Sequence, residues 1–301
     1  MVNFLIITST EDIASMNIRE HLLNFDFLDL IESDLKWYNN PVIEIKGSTD
    51  NLEINNFFKE NRIYIGLTDK SLIHLDKLLL NESGLEIDFL VFASRHRSEA
   101  ARPAFLAHST GNWSDSADFG GNAKELSKSS ALLQKAAFGS LLMAYNSSHL
   151  EGFSVDIEVT HHGPTTLERP LVFVELGSSE LEWSIKPAGK VVAEAVLNTC
   201  INYVNLNEKK SIKICLGFGG THYAPQFRKL LMKDNIAFSF ICPKYFIKDL
   251  NENLIKQMID NTFEKIEYFV IDWKGTNSAD KQHLIPLLEQ FNIPIKRTKE
   301  M

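Results

Sequence analysis

Apolar residues in this chain gather in short β-branched or aromatic runs, separated by stretches whose apolar positions recur at helical spacing. Val2 to Thr8 and Asp88 to Ala93 (DFLVFA) read as buried strands, and Arg62 to Leu67 (RIYIGL) alternates like a half-exposed one. Between Leu22 and Asp50 the pattern is mixed, with Pro41 and Gly47 as punctuation, so a smaller α+β elaboration is expected over approximately residues 22–85. From Ser127 the alternation is cleaner. Ser127 and Ser130 are N-cap candidates for a helix carrying Leu132, Leu133, Ala136, Ala137, Phe138, Leu141, Leu142 and Tyr145. It is apolar around much of its circumference and should be deeply packed. Strands at Val155–Thr160, Leu171–Leu176, Ser211–Leu216, Ile236–Ile241 and Tyr268–Asp272 follow. Helices near Ala188–Val204, Pro225–Lys233, Asn251–Asp260 and Ser278–Phe291 alternate with them. This predicts an α/β fold, a mixed and mainly parallel sheet with helices on both faces, as a single domain over residues 1–301. In such a sheet ligands sit beyond the carboxyl ends of strands, so chemistry is sought there.

Composition narrows the class. The chain has 301 residues, 44% apolar and 23% charged, with 31 Lys+Arg against 39 Asp+Glu for a net charge of −8. These are values of an ordinary globular protein. No run approaches the ~20 apolar residues of a membrane-spanning helix, and Met1 to Thr8 lacks the basic start of a secretory leader. Cys200, Cys215 and Cys242 are odd in number and widely spaced, which fits reduced thiols and a cytoplasmic setting. The acidic balance argues against blanket coating of nucleic acid, so neither DNA nor a membrane is an expected partner. A local basic groove on an acidic body stays open. A monomer is plausible.

Candidate chemistry collects just after predicted strands. Glu158-Val159-Thr160-His161-His162-Gly163-Pro164-Thr165 runs a strand into paired histidines and a Gly-Pro turn. If the strand continues, alternation puts His161 and His162 on opposite faces, with different jobs. Gly217-Phe218-Gly219-Gly220-Thr221-His222-Tyr223-Ala224-Pro225 ends a buried strand in a glycine turn and opens a helix at proline. It has neither the dinucleotide fingerprint nor a Walker lysine. Ser94-Arg95-His96-Arg97-Ser98 follows DFLVFA, and arginine forks there suit phosphate or carboxylate. His108, Asn112 and Trp113 come next, beside Gly111. Glu175 inside LVFVEL is costly unless paired. It could orient a histidine or ligate a metal, or sit at the strand end in water, and Glu158 lies two residues before Thr160.

SRHRS with AFLAHSTGN, then THHGPT, then GFGGTHYAP, in that order, resemble the archaeal-type D-aminoacyl-tRNA deacylases, which also have plant members. The resemblance implies a phosphorylase/peptidyl-hydrolase-like α/β fold with an N-terminal α+β addition. It implies hydrolysis of the ester between a D-amino acid and the terminal ribose of tRNA, a step of translation quality control. Zinc is associated with the family. His161, His162 and His222 are then the candidate zinc ligands or general bases, with Glu175 as their carboxylate. Ser94, Arg95, His96, Arg97, His108, Asn112, Thr165, Gly219, Gly220, Thr221 and Tyr223 are the substrate-binding candidates. The GFGGT backbone would give oxyanion donors, Arg95 and Arg97 would hold the tRNA 3′ end, and Tyr223 or Trp113 would stack on its terminal adenine. Without a metal, a His222–Glu175 hydrogen bond is the fallback. The rival readings are a metal-dependent amidohydrolase or peptidase and a non-catalytic tRNA or nucleotide binder. Arg95, Arg97, Arg102, Lys186, Lys190, Arg228, Lys229 and Lys233 predict a positive groove at the histidine mouth.

Overall fold

The structure, a computed structural model, describes residues 1–49, 51–99, 101–209 and 211–301, and of Glu53 only the backbone. Asp50, the end of the mixed stretch, lies outside the described residues. Twelve strands are described: β1 Asn3–Ser9, β2 Leu28–Trp37, β3 Asn40–Ser48, β4 Arg62–Thr68, β5 Phe89–Arg97, β6 Ala104–His108, β7 Ser154–Ile157, β8 Leu171–Ser178, β9 Lys213–Phe218, β10 Ile236–Cys242, β11 Tyr268–Ile271 and β12 Ile295–Arg297. They form two sheets, an eight-stranded one ordered β2-β3-β4-β1-β5-β8-β6-β7 and a four-stranded one ordered β10-β9-β11-β12. Strand pairs β1–β4, β1–β5, β5–β8 and β6–β7 are parallel, whereas β2–β3, β3–β4 and β6–β8 are antiparallel. The small sheet is parallel throughout. The mixed, mainly parallel α/β architecture therefore stands, divided between two sheets. Periodicity cannot distinguish one sheet from two, because both are built from the same strand–helix alternation.

The sequence dictates most local choices. β1 and β5 are apolar on both faces because helices and strands bury them from both sides. The expected α+β elaboration is in large part the β2–β3 hairpin, which extends the sheet edge beyond β4. Its turn places Tyr38 and Asn39 at φ 49° and 62°, the left-handed pair of a tight hairpin. Ser130 caps the Ala131–Ser147 helix by accepting from Leu133 N–H. Most of that helix is buried because it packs against both sheets, on β6 and β10, and its C-terminal turns leave Met143 exposed. The core on this side runs continuously from Phe4 through Leu133 to Phe269, and a smaller core around Trp37, Leu72 and Phe92 fills the other face. Among the described residues no helix is long and apolar enough to cross a membrane.

One departure positions the site. The predicted strand to Thr160 stops at Ile157. Val159 N–H instead donates to His222 O at 2.9 Å and Thr160 N–H to Ile241 O at 3.0 Å, so this segment leaves the large sheet and fastens to the small one.

Candidate active site

A cleft of about 890 Å³ opens beyond the carboxyl ends of β1, β5 and β8. Its floor is built by register. β5 and β8 pair Ser94 with Glu175, and β8 and β6 pair Glu175 with Leu106. Strand alternation therefore turns His96, Glu175 and His108 to one face. His96 Nδ1 lies 3.3 Å from Glu158 Oε2 and 3.4 Å from Glu175 Oε2, and His108 Nε2 lies 3.6 Å from Glu175 Oε2. His222 arrives from the turn after β9 and donates from Nε2 to Glu158 Oε1 at 2.5 Å.

His161 and His162 do not diverge as a continuing strand would require. Their ring centroids are 4.4 Å apart, and both lie against His108, at 4.3 and 4.8 Å. The reason is local. The strand has already ended, and His162 adopts φ 40°, a left-handed conformation unusual for a side-chain-bearing residue. Gly111 N–H holds it there by donating to His162 O at 2.8 Å.

Backbone carbonyls fix the tautomers. His161 Nδ1–H donates to Val159 O at 2.8 Å, His162 Nδ1–H to Gly163 O at 2.6 Å and His108 Nδ1–H to Ser109 O at 3.1 Å. Each therefore keeps Nε2 for other work. One ring nitrogen from each of these histidines lies within 4.8 Å of the others, and Glu158, His161 and His222 form a second such group. His96 Nε2, His108 Nε2 and Glu158 Oε2 are buried without a hydrogen-bond partner. Burial opposes charge on His96, yet its bonds to Glu158 and Glu175 prevail and raise its pKa to about 11. The same contest raises His108 through Glu175. Glu175 is lowered to about 2, its bonds to His108 and His96 outweighing burial, and Glu158 is also lowered well below the carboxylate range. Burial and the neighbouring imidazoles push His162 down to about 4 and His161 well below neutrality, so both are uncharged.

The other sequence candidates divide. β5 runs on through Arg97, so SRHR lies within the strand rather than after it. Arg95 and Arg97 consequently alternate away from His96 and lie over Trp183, at 5.3 and 5.9 Å from its ring centroid. Both, with Ser94 and Asn112, line the cleft. Asn112 uses its amide to hold Gly120 O and Asn122 O, and Thr165 bonds Glu125 and Asn122 N–H away from the cleft lining. The glycine turn does not supply the expected donors. Gly219 N–H is taken by Cys242 O at 2.8 Å and Gly220 N–H by Gly275 O at 3.3 Å, and neither they nor Thr221 nor Tyr223 line the cleft. Tyr223, 38% exposed, has its hydroxyl 3.5 Å from Ser98 Oγ.

His222 is paired to Glu158, not to Glu175. The three expected zinc ligands also fall into different groups, because His162 keeps company with His108 while His222 keeps company with Glu158. Trp113 is buried with its N–H on Thr160 O, so it is wall rather than stacking platform. Phe119, without a signal in its loop sequence, is 69% exposed and lines the cleft. The expected positive mouth is not there. Of the named cations only Arg95 and Arg97 line the cleft, beside Glu11, Asp12, Glu99 and Asp118. Lys186, Lys190 and Arg228 are paired with Glu20, Glu194 and Asp156.

Five histidines and two buried carboxylates in and beneath a cleft, on an α/β sheet, are the equipment of a hydrolytic enzyme. A family model described as D-aminoacyl-tRNA deacylase matches residues 83–296, and the chain belongs to that family. Curated relatives named D-aminoacyl-tRNA deacylase include that of Thermococcus kodakarensis, 33% identical over 97% of this chain and 98% of its own length. Those of Thermococcus onnurineus (36%; 97% and 98%) and Methanocaldococcus jannaschii (32%; 98% and 100%) are similar over equal spans. A crystal structure titled as a conserved protein of unknown function superposes with TM-score 0.81 at 29% identity, covering 99% of this chain and 96% of that one.

Proposed function

We propose that this cleft hydrolyses the ester joining a D-amino acid to the 3′-terminal ribose of tRNA, releasing free tRNA and the D-amino acid. The observation that carries the reading is the convergence of His161 and His162, uncharged and with Nε2 unspent, beside the His222–Glu158 pair at the cleft floor. An aminoacyl ester is already activated, so positioning and a proton acceptor account for most of what hydrolysis needs.

His108, His161 and His162 fit a zinc ion. Their Nδ1–H groups are tied to carbonyls, as the outer partners of metal-binding histidines usually are, and His108 Nε2, which faces Glu175 Oε2 at 3.6 Å, would give up its proton to bind. These three residues would hold the ion, which when bound supplies Lewis acidity to an ester carbonyl or a water. His222 gives Nε2–H to Glu158, which leaves Nδ1 to accept the proton of the attacking water. Its Nδ1 is 3.4 Å from Tyr245 Oη, which can relay that proton outward. His96, kept charged by two carboxylates, lines the cleft with Nε2–H unpartnered and serves as the donor to the developing oxyanion. The acidic wall of Glu11, Asp12, Glu99 and Asp118 suits the substrate's α-ammonium, Phe119 offers a face to the terminal adenine, and Arg95 and Arg97 hold the last phosphate. Cys200, Cys215 and Cys242 are free and buried, in keeping with a cytoplasmic setting.

The test is deacylation of matched D- and L-aminoacyl-tRNA by wild type, His161→Ala, His162→Ala and His222→Ala. Preference for the D-ester and losses of roughly 10²–10⁴-fold in the variants are expected. Wild-type rates in all three would refute the site.

A further inference from the structure

The cleft raises a problem of charge. Its wall carries more carboxylates than arginines, yet a tRNA presents phosphates along its whole acceptor end. Immediately outside the cleft is a second, shallower groove of about 450 Å³, lined by Lys244, Lys248 and Lys274 with Tyr245 and Asn277. All three lysines are exposed, and among the described residues none forms an ion pair. Asp280 is the one carboxylate in the lining. The groove also receives the start of the Ser278–Leu288 helix, whose N-cap is Asn277, so the positive end of a helix dipole adds to the lysines.

The partition between groove and cleft is made by one short segment, the 3-10 helix Lys244–Asp249. Phe246 on that segment lines the catalytic cleft, whereas Lys244, Tyr245 and Lys248 line the groove. Tyr245 joins the two, its hydroxyl 3.4 Å from His222 Nδ1. The segment is anchored to the glycine turn that carries His222, through Lys244 N–H donating to Gly220 O at 3.0 Å. A chain whose terminal ribose sits at His222 and which leaves over this ridge therefore enters the lysine groove.

We propose that the Lys244–Lys248–Lys274 groove is the phosphate-binding track for the acceptor end of the tRNA. This rests on the hydrolytic reading above and adds to it a division of labour, with the cleft taking the aminoacyl-adenosine and its last phosphate and the basic groove taking the phosphates before it. Unpaired exposed lysines suit that task, because they neutralise phosphates as point charges without demanding a base sequence.

The experiment compares wild type with the triple variant Lys244→Gln/Lys248→Gln/Lys274→Gln, and with Lys36→Gln/Lys77→Gln at the far edge of the large sheet as a control for lost charge. Binding of uncharged tRNA is measured across a salt series, and hydrolysis is measured on D-aminoacyl-tRNA and on D-aminoacyl-adenosine, which has the same ester but no phosphates. Expected for the triple variant is a roughly tenfold weaker affinity at low salt, with the slope of log K against log salt reduced by about 2. Its KM for D-aminoacyl-tRNA rises while kcat holds, and D-aminoacyl-adenosine is turned over as by wild type. Unchanged tRNA affinity and slope, an equal loss on both esters, or an equal effect in the control variant would overturn the proposal. Wild type that hydrolyses neither ester would overturn the hydrolytic reading instead, and the binding series would still decide the groove.

Discussion

Replacing Gly163 by alanine tests whether the histidine pair is held by the loop geometry described above. A Cβ built on Gly163 lies 2.3 Å from Gly121 N, 2.4 Å from Gly120 C and 2.7 Å from Ile73 O. All three are backbone atoms, so no side-chain rotation relieves the overlap. Restoring contact distances requires a displacement of about 1 Å, shared between the 162–164 turn and the 119–121 loop. Gly163 N–H bonds Phe119 O at 3.0 Å, and Gly163 O accepts from His162 Nδ1, so the turn cannot move without moving the imidazole. Overpacking of this kind costs roughly 1–3 kcal/mol in stability, and a 1 Å misplacement of reacting groups costs on the order of 100-fold in rate. The assay is kcat/KM on D-aminoacyl-tRNA beside urea denaturation of the same preparation. A Gly163→Ala protein with wild-type kinetics would show that the pair's placement does not depend on this contact, and would refute the reasoning.

Three further outcomes follow from features away from that turn. Gly139 lies in the Ala131–Ser147 helix with nothing within 4 Å of its Cβ position, so Gly139→Ala should stabilise by roughly 0.5–1 kcal/mol in denaturant titrations without altering turnover. Lys135 Nζ is buried against Leu231 O and Lys233 O, and burial lowers its pKa to about 8. The penalty for burying the ammonium is complete below pH 8 and is relieved as pH rises toward the unfolded value of 10.5, so wild-type stability should gain across that window. Lys135→Met should flatten the gain in melts run from pH 7 to 10, and an identical profile would contradict it. Dialysis against a chelator should abolish hydrolysis and zinc add-back should restore it, whereas full activity in metal-free protein would eliminate the zinc assignment to His108, His161 and His162.

Most strand positions were legible because buried strands and amphipathic helices write different periods, although the short strands β6 and β12 were not read as strands. Ser130 was legible as a cap, and Glu175 as a carboxylate costly in its apolar strand unless paired, with a solvated strand end as the other reading; it is buried between His96 and His108. The β2–β3 hairpin was not, since an edge with one solvated face mixes Asp, Glu and Lys into its apolar run. Alternation also separated His161 from His162, and only the φ of His162 and the early end of β7 bring them together. Glu158 was visible as a neighbour of the histidines, but its bond to His222 joins residues 64 apart. The cations failed as a guide for a related reason, because sequence counts charges without showing which are already paired. Lys244, Lys248 and Lys274 are scattered over thirty positions and meet only through the packing of the small sheet.

The site is assembled from both sheets, and this bears on synthesis of the chain. His96, His108 and Glu175 are translated with the large sheet, but His222 and the Ile241 backbone that fastens Thr160 come later. The Ala131–Ser147 helix must also wait for β10 before its second face is covered. A nascent chain can therefore complete most of its first sheet before the His222–Glu158 pair exists. On the reading proposed above, hydrolysis then waits for the last third of the chain to dock.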